Sequence, residues 1–98
     1  METSRNEELT QWKQELQSRK DEIIKRKHII ETKLDKYKTR LRIASSIEES
    51  NKGAIVDSLE SQVTQFRREL EEFSIANEPE IRELDSILKS VERELARS

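Results

Sequence analysis

Leu9, Leu16, Ile23, Ile30, Tyr37 and Ala44 recur every seven residues, and Lys13, Lys20, Lys27, Leu34 and Leu41 stand four residues after the first five of them. Positions three and four apart share one face of an α-helix, so alternating steps of four and three mark a seam that pairs with another helix. This seam runs through the first half of the chain, over residues 8–50. One of its columns is apolar throughout. The other is lysine in its outer half and leucine toward the middle of the chain. Lysine at a seam position weakens a self-paired coiled coil and restricts its register and its partner. The lysine stem can still cover apolar surface while its ammonium reaches water.

The second half, residues 54–97, repeats the pattern. Val56, Leu59, Val63, Phe66, Leu70 and Phe73 alternate steps of three and four. The seam falters at Asn77 and resumes after Pro79, shifted, as Ile81, Leu84, Leu88, Val91 and Leu95. Proline inside a helix removes a hydrogen bond and kinks it, whereas proline in a first turn is tolerated. Asn77 followed by Glu80 resembles a capping box. Two readings stand at this point: one kinked helix, or two helices meeting at residues 76–79.

Between the halves lies Asn51-Lys52-Gly53, with the only glycine of the chain. Glycine accepts a positive φ without a Cβ clash and is common just past a helix end, and asparagine is the next most tolerant. The expectation is therefore a reversal at residues 51–53. Folding the chain there sets Leu9 against Leu95, Leu16 against Leu88, Ile23 against Ile81, Ile30 against Phe73 and Leu34 against Leu70. Tyr37 then meets Phe66, Leu41 meets Val63, Ala44 meets Leu59 and Ile47 meets Val56. The residue numbers of each pair sum to 103 or 104. Lys27 falls opposite Asn77, so the polar interruptions coincide as well.

Charge agrees with this pairing. Residues 11–44 carry eleven basic and five acidic side chains, and residues 50–98 carry seven basic and eleven acidic. Lys25, Arg26 and Lys27 are expected to face Glu78 and Glu80, and Lys33 and Lys36 to face Glu69, Glu71 and Glu72. Exposed pairs of this kind are worth about 0.2–1 kcal/mol each, so they orient the arms more than they stabilise them. The ends of the chain are less patterned. Residues 1–7 are expected to fray, with Thr3, Ser4 or Asn6 as candidate caps and Glu7 and Glu8 suited to the positive helix start.

Composition decides which classes remain. Charged residues make up 41% and hydrophobic ones 32%, with four aromatics, which suits a long helix or coiled coil and not a thick globular core. Disorder shares that composition, but not the periodicity. A net charge of −2 sets up no global field for nucleic acid or membrane. Without cysteine there is no disulfide framework or thiolate metal site. The polar start Met1-Glu2-Thr3-Ser4-Arg5 predicts no secretory signal, and no apolar run approaches the roughly 20 residues of a membrane span. The expected location is intracellular, cytoplasm or nucleus.

No set of residues reads as catalytic. His28 has Lys25, Glu31 and Thr32 as helical neighbours, too sparse for a metal or an acid–base centre. Glu71 and Glu72 are adjacent and point to different faces. The chain is therefore read as non-enzymatic, with no cofactor or metal. The informative residues are the apolar ones off the seam: Ile24, Ile29, Ile43 and Ile47 in the first arm, and Ile55, Ile75 and Ile87 in the second. Ile29 and Ile43 lie two heptads apart and share an outer face. Trp12, expected opposite Val91, is of the residue type enriched at binding hot spots.

The resulting expectation is all-α: one antiparallel coiled-coil helical hairpin over residues 1–98, assembling into a larger helical bundle. It would serve as an interaction or scaffold module that homodimerises or docks on partner helices in a complex. The partner-binding candidates are Trp12, Ile24, Ile29, Ile43, Lys25, Arg26 and Lys27. The alternative is a hairpin that binds an acidic surface, nucleic acid or anionic membrane, through basic residues 25–42.

Overall fold

The structure, a computed structural model, describes residues 2–47 and 53–97. The chain forms two long helices, α1 (Glu2–Ser45) and α2 (Ala54–Ala96), paired as a coiled-coil hairpin. Their packing divides into two compact units, Met1–Lys25 with Ala76–Ser98 and Arg26–Ile75.

In the second of these units, Lys27, Ile30, Leu34, Tyr37, Leu41 and Ala44 are the α1 positions shielded from solvent. Every step is three or four residues, as the sequence pattern requires. From α2 they meet Val56, Leu59, Val63, Phe66, Leu70 and Phe73, of which Val56 and Val63 are buried along with Leu34. The Tyr37 and Phe66 rings stack with centroids 5.4 Å apart and planes 17° from parallel, which fixes these two residues side by side. Offset stacking of this kind adds about 0.5–1.5 kcal/mol beyond the area it covers.

The helix ends on either side of residues 48–52, which lie outside the described residues, differ from the sequence expectation. Helix α1 stops at Ser45, well short of residue 50. The Ser46 amide donates to the carbonyls of Arg42 and Ile43, both at 3.2 Å, and its hydroxyl donates to the Ile43 carbonyl at 2.6 Å. Serine thus satisfies carbonyls that a helix end leaves without partners. Gly53 stands at the start of α2: its carbonyl accepts the Asp57 amide at 3.2 Å, the first bond of that helix. That is the N-cap position, and no residue among those described takes a positive φ. Asn51 and Lys52 lie outside the described residues. Because α1 ends early, Ile47 falls in a bend and is exposed, while Val56, its expected partner, is buried within the seam.

In the other unit, the shielded α1 positions are Asn6, Leu9, Lys13, Leu16, Lys20 and Ile23, again in steps of three and four. Ile23 is the deepest side chain, 1% exposed, and Leu84, Leu88 and Val91 are buried with it. The helix already runs at Glu2, upstream of the expected caps and across residues expected to fray. Asn6 extends the seam, and Arg5 reaches Glu94 at 2.6 Å, so tertiary contacts hold this turn. Helix α2 is one uninterrupted helix through Pro79. The capping box therefore does not form, and the Glu80 carboxylate goes to Arg19. The shifted seam Ile81, Leu84, Leu88, Val91 and Leu95 is shielded, as is Asn77 before it.

Candidate interaction surface

Beside the seam in the unit formed by residues 1–25 and 76–98, a flanking column is filled by residues seven apart on each helix. Arg5, Trp12 and Arg19 come from α1, and Glu80, Ile87 and Glu94 from α2. They meet in reverse order. Arg5 pairs with Glu94 at 2.6 Å. Arg19 makes a two-point contact with Glu80, its Nε donating to Oε2 at 2.6 Å and its Nη2 to Oε1 at 3.1 Å. The fork holds the Glu80 carboxyl below its ordinary value and raises the Arg19 guanidinium, each chiefly through the shared hydrogen bond. Between the two ion pairs, Trp12 and Ile87 line an apolar groove of about 280 Å³ with Leu9, Val91, Ser86 and Ser90. Trp12 remains 43% exposed there.

Two of the seam lysines are also partnered. Lys13 lies 3.7 Å from Glu92, and Lys20 2.5 Å from Asp85. Each stem covers the seam while its ammonium escapes sideways to a carboxylate at the edge. Within this unit Glu78 and Glu80, the carboxylates expected to face Lys25, Arg26 and Lys27, each pair with an arginine. Glu80 belongs to Arg19, and Glu78 pairs with Arg82 on its own helix at 2.7 Å. The physical reason is lateral position: Arg19 immediately precedes a seam residue on the side that faces the Glu80 column.

In the Arg26–Ile75 unit, cations flank rings. Lys33 Nζ lies 6.0 Å from the Phe66 ring centre, and Lys36 Nζ and the Arg40 guanidinium lie 5.7 and 5.4 Å from that of Tyr37. The expected pairing of Lys33 and Lys36 with Glu69, Glu71 and Glu72 is thus replaced by contacts with the aromatic layer. Exposed cation–π contacts contribute about 0.5–1 kcal/mol.

Of the sequence-derived candidates, Trp12, Ile24 and Lys25 lie in one unit, and Arg26, Lys27, Ile29 and Ile43 in the other. Trp12, Ile24, Ile29 and Ile43 are exposed, as are Lys25 and Arg26. Lys27 is half-buried in the seam. Ile87 turns out to be half-buried as a wall of the groove, whereas Ile55 and Ile75 are exposed. Sequence reasoning missed the flanking column. Its signal is present in the sequence, since Arg5, Trp12 and Arg19 repeat at seven, as do Glu80, Ile87 and Glu94, beside the apolar seam. His28 is exposed. Among the described residues no group of three His, Cys, Asp or Glu side chains could hold a metal ion, and no helix is long and apolar enough to cross a membrane.

No family model, curated protein or solved structure matches this chain.

Proposed function

We propose that this chain is a non-enzymatic coiled-coil interaction module, a subunit that associates with other helices, as a homo-oligomer or within a larger complex. One observation carries the reading: the hairpin seam is filled, yet large apolar side chains remain outside it. Trp12, Ile24, Ile29 and Ile43 are all more than two-fifths exposed, while the buried apolar core among the described residues amounts to seven side chains. A core that thin ordinarily gains its remaining stability from association.

Nucleic-acid or membrane binding through residues 25–42 finds less support. Lys38 and Arg42 lie on a different helical face from Arg26, Lys33, Lys36 and Arg40, and the isoleucines Ile29 and Ile43 interrupt the cations that do share a face. Phosphate-binding surfaces gather their cations on one side.

Site-specific photo-cross-linking in the native cell tests the reading. A photoreactive residue at position 29 or 43 should give protein adducts, and one at exposed Ser61 should not. Absence of protein adducts from both isoleucine positions refutes the proposal.

A further inference from the structure

Within the Arg26–Ile75 unit, helix α1 carries a second series in steps of three and four, on the outside of the hairpin: Arg26, Ile29, Lys33, Lys36, Arg40 and Ile43. All six are exposed. No carboxylate interrupts the series, and among the described residues Lys33, Lys36 and Arg40 make contacts with rings and not with acids. The spacing is that of a coiled-coil face, with apolar positions near its two ends and cations between them. An arginine held over a ring keeps its in-plane N–H donors available for a carboxylate.

We propose that this stripe docks a third helix, supplied by a different chain, that presents apolar residues to Ile29 and Ile43 and acidic residues to the cations between them. The inference rests on the interaction-module reading and names the partner's chemistry. Charge complementarity selects the occupant. A second copy laid stripe to stripe would set Lys33, Lys36 and Arg40 against their own counterparts, and like charges placed directly opposite are destabilising. An anionic membrane takes up a contiguous apolar face with cations at its margins, whereas here the cations occupy the middle of the face. An acidic amphipathic helix satisfies both kinds of position at one spacing, with the ionic pairs choosing partner and orientation.

The test uses the full chain and a synthetic helical peptide of about 20 residues, enough to span the stripe at 1.5 Å per residue. Its facing positions carry leucine toward Ile29 and Ile43 and glutamate toward the cations. The comparison probes are the same peptide with lysine for each glutamate, phosphatidylserine vesicles and a DNA duplex. The acidic peptide should bind at least about tenfold more tightly than its lysine counterpart, an effect of the size expected when several exposed ion pairs are reversed together. Ile29→Ser/Ile43→Ser and, separately, Lys33→Glu/Lys36→Glu should each weaken that binding, with far-ultraviolet circular dichroism unchanged. Equal binding of the two peptides, or binding of vesicles or DNA in preference to the acidic peptide, overturns the proposal. So does the failure of both peptides to bind. In that case sedimentation of the chain alone separates the two levels of the argument. Self-association lost in Ile29→Ser/Ile43→Ser preserves the interaction module with a second copy as occupant; a monomer that also gives no cellular adducts removes both.

Discussion

Ile23 and Ile24 are adjacent, chemically identical and oppositely placed: Ile23 is 1% exposed and Ile24 46%. Truncating each to alanine therefore isolates burial from residue type and from helix position. Alanine lacks three of the isoleucine carbons, and at about 0.8 kcal/mol per buried carbon group the transfer loss at position 23 is about 2.4 kcal/mol. A residual cavity adds to this, within the ~2–5 kcal/mol range for such truncations. Two helices leave the sides of a seam open, so the site relaxes and the cost stays near about 3 kcal/mol. At position 24 little burial is lost, and alanine is the better helix former by a few tenths of a kcal/mol, so the change stays within about 0.5 kcal/mol. Urea unfolding followed by circular dichroism, at a protein concentration where sedimentation shows a monomer for the parent chain and both variants, reads both values free of any contribution from association. Ile23→Ala should also lower the thermal midpoint by more than about 10 °C, since each kcal/mol shifts a domain of this size by about 4–8 °C. Unfolding free energies for the two variants within about 0.5 kcal/mol of each other would refute the seam as described.

Lys20→Leu exchanges an edge ion pair with Asp85, worth about 0.2–1 kcal/mol, for partial burial of a leucine worth about 1–2 kcal/mol. The urea midpoint should rise, and sedimentation should show more self-association because a register-restricting lysine is gone; a lower midpoint contradicts the placement of Lys20 in the seam. The Arg19–Glu80 fork makes stability depend on pH with a defined sign. Glu80 has a depressed folded value, so its contribution is present above the ordinary carboxylate range and is lost as pH falls through the folded value. Below that value both states are protonated and the contribution is gone. Glu80→Gln should therefore flatten the acid limb of the urea midpoint against pH; an unchanged limb would show that the fork contributes nothing to it.

Much of this architecture was legible in advance because a seam is a local property. Helical geometry puts residues three and four apart on one face whatever the partner, so the apolar columns announced themselves, and so did the half-covered lysines at 13, 20 and 27. The isoleucines left outside were legible for the same reason. Partners were harder to read, because a repeat of seven residues makes neighbouring registers nearly equivalent. Lys25, Arg26 and Lys27 were the expected neighbours of Glu80, whereas its carboxylate meets Arg19, a lateral placement that the seam repeat does not specify.

The amino-acid order by itself determined that two amphipathic helices form, which face of each is apolar, and that the seam would be thin. The packed structure decided the ends and the continuity. α1 reaches back to Glu2, where Arg5 finds Glu94; it stops at Ser45, where the following serine takes up two carbonyls; and α2 passes through Pro79 unbroken. Those outcomes depend on contacts between residues far apart in the chain or on competition among nearby hydrogen-bonding groups, and periodicity encodes neither.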